Sequence, residues 1–81
     1  MTKLEQKLIE LGYKQYHDYY IKRINGYDIW VEPYNSPFNK IHKMYVYNHN
    51  NYIKGQEQID NLQQAFNEMQ KDLGILKECE Q

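Results

Sequence analysis

The stretch Tyr19-Tyr20-Ile21-Lys22-Arg23-Ile24-Asn25-Gly26-Tyr27-Asp28-Ile29-Trp30-Val31-Glu32 decides the fold. Its two arms are rich in aromatic and β-branched side chains, which pack well on a pleated surface. Asn25-Gly26 lies between them. Both residue types tolerate the positive φ angles of a type I′ turn, so the dipeptide marks a two-residue hairpin. The spacing predicts strands over 19–24 and 27–32, with residues whose numbers add to 51 lying opposite each other.

Beyond the hairpin, Pro33 and Pro37 bracket Tyr34-Asn35-Ser36, and residues 33–40 read as a loop that cannot continue the ladder. A third strand is expected over 41–47, ending in the turn-rich run Asn48-His49-Asn50-Asn51. Before the hairpin, Thr2 and Glu5 form a capping box, Leu4, Leu8 and Leu11 follow at helical spacing, and Gly12 suits the left-handed residue after a helix end. This predicts a helix over 3–11. At the other end, Ile59, Leu62, Phe66, Met69, Leu73 and Leu76 alternate steps of three and four, which predicts a helix over 56–78 with Gly74 as a point of weakness. The expected architecture is a single α+β domain over 1–81 in the order α-β-β-β-α. Its three-stranded antiparallel sheet would be packed by the long C-terminal helix.

The hairpin register divides its side chains. One face carries Tyr20, Lys22, Ile24, Tyr27, Ile29 and Val31; the more continuously apolar, it is expected to meet the long helix, with Lys22 near an edge and Met44 and Val46 joining it. The other carries Tyr19, Ile21, Arg23, Asp28, Trp30 and Glu32, with Tyr45 and Tyr47 as further candidates. Trp and Tyr mixed with charge are typical of binding hot spots. Trp30, Tyr19, Ile21 and Arg23, with Tyr34, Asn35 and Phe38 of the loop, are therefore the candidate partner-binding residues. Two other readings of this face stay open: the first helix covers it, or two copies bury it against each other. The long helix has two readings as well: the sheet consumes its apolar row, or the outer half around Leu73 and Leu76 pairs with a second copy.

Eighty-one residues allow one thin core, and 41% hydrophobic residues suit a globular chain. A lone Cys79 excludes an internal disulfide framework and fits a reducing, cytoplasmic compartment. No apolar run is long enough to span a bilayer, and the opening residues do not read as a signal peptide. Residues 13–54 carry six basic side chains against three acidic ones, while residues 55–81 carry two against six. The middle is mildly basic and the tail acidic.

No catalytic residues, cofactor site or metal site are expected. His17, His42 and His49 fall on different elements without ligand spacing, Cys79 lies in a charged tail, and Gly-rich phosphate loops and Ser nucleophile motifs are missing. Asp60, Glu68 and Asp72 read as the wet face of the long helix. A binding protein follows. The aromatic face beside Lys22, Arg23, Lys40 and Lys43 would also suit single-stranded RNA or DNA, although a net charge of −1 and a single Arg speak against it.

Lys, Asn, Tyr and Ile make up 34 of the 81 residues, as expected of an AT-rich coding region. With that bias, Leu11-Gly12-Tyr13, Ile29-Trp30-Val31-Glu32-Pro33 and the helix from Ile59 to Leu73 resemble short phage and prophage proteins of low-GC Gram-positive bacteria. The resemblance implies an accessory protein that binds and inhibits a host protein, such as a defence nuclease, in the manner of anti-CRISPR inhibitors of Cas nucleases. No site residues carry over from it.

Overall fold

Asn25 and Gly26 take φ angles of 50° and 84°. The turn they form sets the register of the two strands it joins, β2 (Tyr19–Ile24) and β3 (Tyr27–Pro33): Ile24 faces Tyr27, Arg23 faces Asp28 and Tyr20 faces Val31. This is the computed structural model of the chain, describing residues 1–49 and 54–80. Asn50 and Asn51 of the expected turn lie outside the described residues.

The sheet has four antiparallel strands rather than the expected three, in the order β1-β2-β3-β4. The additional strand, β1 (Lys14–Tyr16), precedes the hairpin and pairs Lys14 with Ile21 and Tyr16 with Tyr19. His17, at φ 54°, turns the chain between β1 and β2. A histidine is a weak turn signal beside Asn-Gly, and a strand of three residues shows little alternation. On the other side, β4 (Ile41–Asn48) pairs with β3, Met44 facing Val31 and Val46 facing Ile29. Pro33 does extend the ladder, opposite Ile41, after a register shift between Glu32 and Pro33. A bulge at a strand end tolerates a residue without an N–H.

Both helices lie on the same face of the sheet. The first, α1 (Lys3–Glu10), opens with the Thr2–Glu5 capping box and is followed by Gly12 at φ 100°. The Thr2 backbone N–H donates to the Glu5 carboxylate and holds its pKa below the ordinary value. The second, α2 (Gln56–Lys77), runs unbroken through Gly74. Leu4 and Leu8 of α1 meet Tyr13, Tyr20, Ile29, Val31, Phe38, Ile41, Met69 and Leu76 in one core.

The row that α2 buries is Ala65, Met69, Asp72 and Leu76. It is rotated from the row that hydrophobicity alone selects. Ile59 and Phe66 are 59% and 42% exposed, and Leu62 and Leu73 are half-buried. The exposed apolar surface of α2 is thus centred on Ile59 and Phe66, not on Leu73 and Leu76.

Asp72, expected on the wet face, is fully buried. Its Oδ2 accepts from the Tyr13 hydroxyl at 2.8 Å and from Lys22 Nζ at 2.8 Å. Lys22 therefore sits beneath the sheet rather than near an edge, with Glu68 at 3.8 Å and its ammonium 5.2 Å from the Tyr13 ring centroid. Two charges survive in the core because each has the other within hydrogen-bond distance.

Lys22→Met alone should cost roughly 3–5 kcal/mol, because it strands a buried carboxylate, whereas Lys22→Met with Asp72→Leu should recover part of that loss, the buried Tyr13 hydroxyl being left without its acceptor. Chemical denaturation of the two single variants and the double variant measures the coupling. The Tyr13 phenol is driven well above its ordinary pKa, first by burial and then by the hydrogen bond to Asp72. A raised folded pKa gives stability that is complete below the unfolded value of about 10 and declines as pH rises past it. Unfolding free energies above pH ~10 should fall less steeply in Tyr13→Phe than in the parent chain.

Candidate functional site

Because α1 and α2 share one face, the other face of the sheet has no covering helix among the described residues. Pleating and register place its side chains in rows. Lys14, Ile21, Trp30 and Tyr45 lie side by side across all four strands. Tyr16 and Tyr19 pair on one side of that row, and Arg23, Asp28 and Tyr47 follow on the other. Trp30 is the hub. Its ring stacks on Tyr45 at 6.2 Å with an interplanar angle of 11°, and meets Tyr19, Tyr16 and Tyr47 edgewise at 5.4, 6.3 and 6.4 Å. Such pairs contribute about 0.5–1.5 kcal/mol each beyond the area they bury.

Charged groups border the cluster and are mostly paired. Arg23 Nε donates to Asp28 Oδ1 at 3.0 Å, and His49 Nδ1 lies 3.5 Å from the other oxygen of this buried carboxylate. Lys43 stands 3.8 Å from Glu32 and 5.5 Å from the Tyr45 ring centroid. The Tyr45 hydroxyl donates to Glu32 at 3.1 Å. Burial, then this contact, raises the Tyr45 phenol above its ordinary pKa. Lys14 is exposed. Beside the rings, a groove of about 440 Å³ runs between Lys14, Tyr16, Ile21 and Arg23.

One polar group in the cluster is unsatisfied. Trp30 Nε1 is covered, yet it finds no acceptor. A buried polar atom without a partner costs about 1–3 kcal/mol, and among the described residues Asp72 Oδ1 is the other such side-chain atom.

Trp30, Tyr19, Ile21 and Arg23 are thus brought together on the open face. The loop candidates are not. Tyr34, 63% exposed, and Asn35 line a different cleft of about 530 Å³ with Glu5, Gln15, Asp18 and Tyr20. Phe38 is a core residue, 7% exposed, its ring 5.6 Å from that of Tyr20 and its carbonyl accepting from the Thr2 hydroxyl. It folds inward because the segment after Pro37 closes over the start of α1, where the Phe38 carbonyl takes the Thr2 hydroxyl. Sequence reasoning missed Tyr16 and Lys14, which reach the face only through β1. The alternation of Lys14 and Tyr16 before a two-residue turn was the available signal.

Elsewhere the chemistry is sparse. His17 occupies the β1–β2 turn, His42 lies against Tyr34 at 5.8 Å, and His49 is beside Asp28. No group of three or more His, Cys, Asp or Glu side chains among the described residues has the geometry to hold a metal ion. Cys79 is half-buried against the core. Among the described residues no helix is long and apolar enough to cross a membrane. The chain matches no family model, and neither the curated proteins nor the solved structures contain a match to it.

Tyr16 and Tyr47 are 56% and 57% exposed on the rim of the cluster. Tyr16→Ser and Tyr47→Ser should each lower stability by no more than about 1 kcal/mol, measured by urea denaturation. A much larger loss would show that these rings are there for folding rather than contact.

Proposed function

We propose that this chain is a non-enzymatic binding protein that docks the open aromatic face of its sheet onto a host protein and inhibits it. The observation that carries this reading is the cluster centred on Trp30. A rigid group of aromatic rings, free of any covering helix among the described residues and bordered by paired charges, has the composition of an interface hot spot. The resemblance to short phage proteins suggests the class of target, a host defence protein and above all a nuclease. Inhibition by occupancy asks for a stiff surface and a few anchors, and no catalytic group.

The same face suits a second partner class, single-stranded RNA or DNA, less well. Sequence-tolerant binding of unpaired bases needs flat exposed rings and free cations along a backbone track. Here the rings pack against one another, mostly edgewise, and Arg23 and Lys43 are engaged by Asp28 and Glu32.

Trp30→Ala should weaken partner binding by about 2–4 kcal/mol, roughly 30- to 1,000-fold. Proteins captured from host lysate by the parent chain and lost by Trp30→Ala identify the target, and titration of the purified target measures the difference. A folded Trp30→Ala chain that binds and inhibits this target as well as the parent refutes the assignment. Tight oligonucleotide binding that falls steeply with salt would replace it with the nucleic-acid reading.

A further inference from the structure

Among the described residues, a second unpartnered surface lies along the outer edge of β4, on a different side of the molecule from the aromatic rings' outward face. Two features meet there. The first is the backbone of β4, which among the described residues pairs on one side only, with β3. A two-residue hairpin closes on a hydrogen-bonded pair, here Ile24 and Tyr27, so Tyr27, Ile29 and Val31 direct their backbone groups to β2. Asp28, Trp30 and Glu32 then direct theirs to β4, where they meet Tyr47, Tyr45 and Lys43. The hydrogen bond from His49 N to Gly26 O at 2.9 Å keeps the same parity. It follows that Met44 and Val46 point their N–H and C=O groups away from the sheet, whereas the register shift opposite Glu32 and Pro33 interrupts this parity at His42. Natural edges of this length are blunted by proline, bulges or several charges. The start of β4 carries such devices, the bulge at His42 and the Glu80 carboxylate that accepts from Ile41 N at 2.7 Å, but from Lys43 to Tyr47 the charged side chain is Lys43 alone.

The second feature is the exposed apolar row of α2. Gln64, Glu68 and Asp72 contact Asn25, Lys22 and Tyr13, so that flank of the helix faces β2. At 3.6 residues per turn, Ile59, Leu62, Phe66 and Leu73 occupy the opposite flank, beneath the β4 edge. Among the described residues, a strand paired on one side only and a partly exposed apolar helix flank thus form one continuous surface.

We infer that this surface joins two copies of the chain about a two-fold axis. The parity of β4 permits an antiparallel pairing in which Met44 of each copy exchanges backbone hydrogen bonds with Val46 of the other. Tyr45 then faces its own counterpart, and Lys43 faces Tyr47. No like charges are opposed, and the two sheets become one of eight strands. α2 runs antiparallel to β4, its start near Tyr27 and its end near Ile41. The same axis therefore brings the two α2 helices together with Phe66, near the helix midpoint, close to it. Each copy covers the other's Ile59, Leu62, Phe66 and Leu73. Of the exposed helix positions bordering this row, Gln63, Asn67 and Gln70 are uncharged, and Lys77, one turn beyond Leu73, is paired with Glu80 at 3.4 Å, so self-apposition meets little like-charge repulsion. A symmetric contact that closes on itself also removes the free edge that would otherwise recruit further chains.

Sedimentation equilibrium of the full chain from about 5 to about 300 µM tests this, joined to hydrogen exchange at single amides. The expected result is a species of about 20 kDa, twice the 10.0 kDa chain. Its Met44 and Val46 amides should be protected. Ile59→Lys with Phe66→Lys, both at exposed positions, should keep the circular dichroism and weaken dimerisation at least ~100-fold, as expected when a desolvated apolar anchor is lost. The Met44 and Val46 amides should then exchange rapidly, while those of Tyr45 and Tyr47, bonded to β3, stay protected in both proteins. A parent chain that remains at 10.0 kDa over the whole range overturns the inference. So does a dimer that survives the double lysine variant, or one that leaves Met44 and Val46 unprotected. Dissociation by Trp30→Ala would move self-association to the aromatic face and likewise overturn it.

Discussion

The positive φ angles at Asn25 and Gly26 fix a parity from which the rest of the molecule follows. A two-residue turn admits one register, and a strand side chain has only two faces to choose from. With Ile24 opposite Tyr27, Lys22, Ile29 and Val31 point to the helices while Arg23, Asp28 and Trp30 point away. A slip of one residue would carry Trp30 into the core and Ile29 into water. β1 and β4 inherit this parity from β2 and β3, which is why four strands contribute rings to one cluster around Trp30.

The buried polar network is the second consequence of that parity. Once Lys22 is directed inward, α2 must answer its charge, and it does so with Asp72, which also takes the Tyr13 hydroxyl. Burying a lysine and an aspartate is costly even when they are paired, so the network is a poor source of net stability. Its physical effect is orientation. Tyr13 precedes β1, Lys22 lies in β2 and Asp72 in α2, and one carboxylate oxygen ties the three together. Rotating α2 to bury the more hydrophobic row would separate Asp72 from Lys22 and leave both charges uncompensated, which accounts for Ile59 and Phe66 facing outward.

What could be read from the sequence depended on whether local chemistry or distant partners decided the matter. The hairpin, the capping box, the left-handed Gly12 and the division of β2 and β3 into two faces rest on a few neighbouring residues, and all were legible. The inward turn of Met44 and Val46 followed from the same alternation. β1 was not legible: its three residues pair only because β2 offers an edge, and His17 in its turn carries a weak signal. Asp72 was misread because hydrophobic periodicity assigns a carboxylate to the solvent side, and only the position of Lys22, three elements earlier in the chain, reverses that. Phe38 was misread for a related reason. A loop aromatic just after Pro37 looks available until α1, capped by Thr2, is seen beneath it.

The same distinction bears on function. The aromatic face was visible in the sequence because register alone defines it, whereas the β4 edge with the outer flank of α2 emerges only when helix rotation and strand order are known together. The two surfaces do not compete, since a strand's edge and its face are presented in different directions. If β4 continues into a second copy, Tyr45 meets its counterpart across the axis and the two clusters around Trp30 fuse into one aromatic band on one side of a single sheet. A partner docked there would meet a surface about twice as wide as one chain offers, and a bivalent one. Avidity then lets a thin domain with a modest contact area hold a large target, because the second contact forms at the high effective concentration that the first one creates.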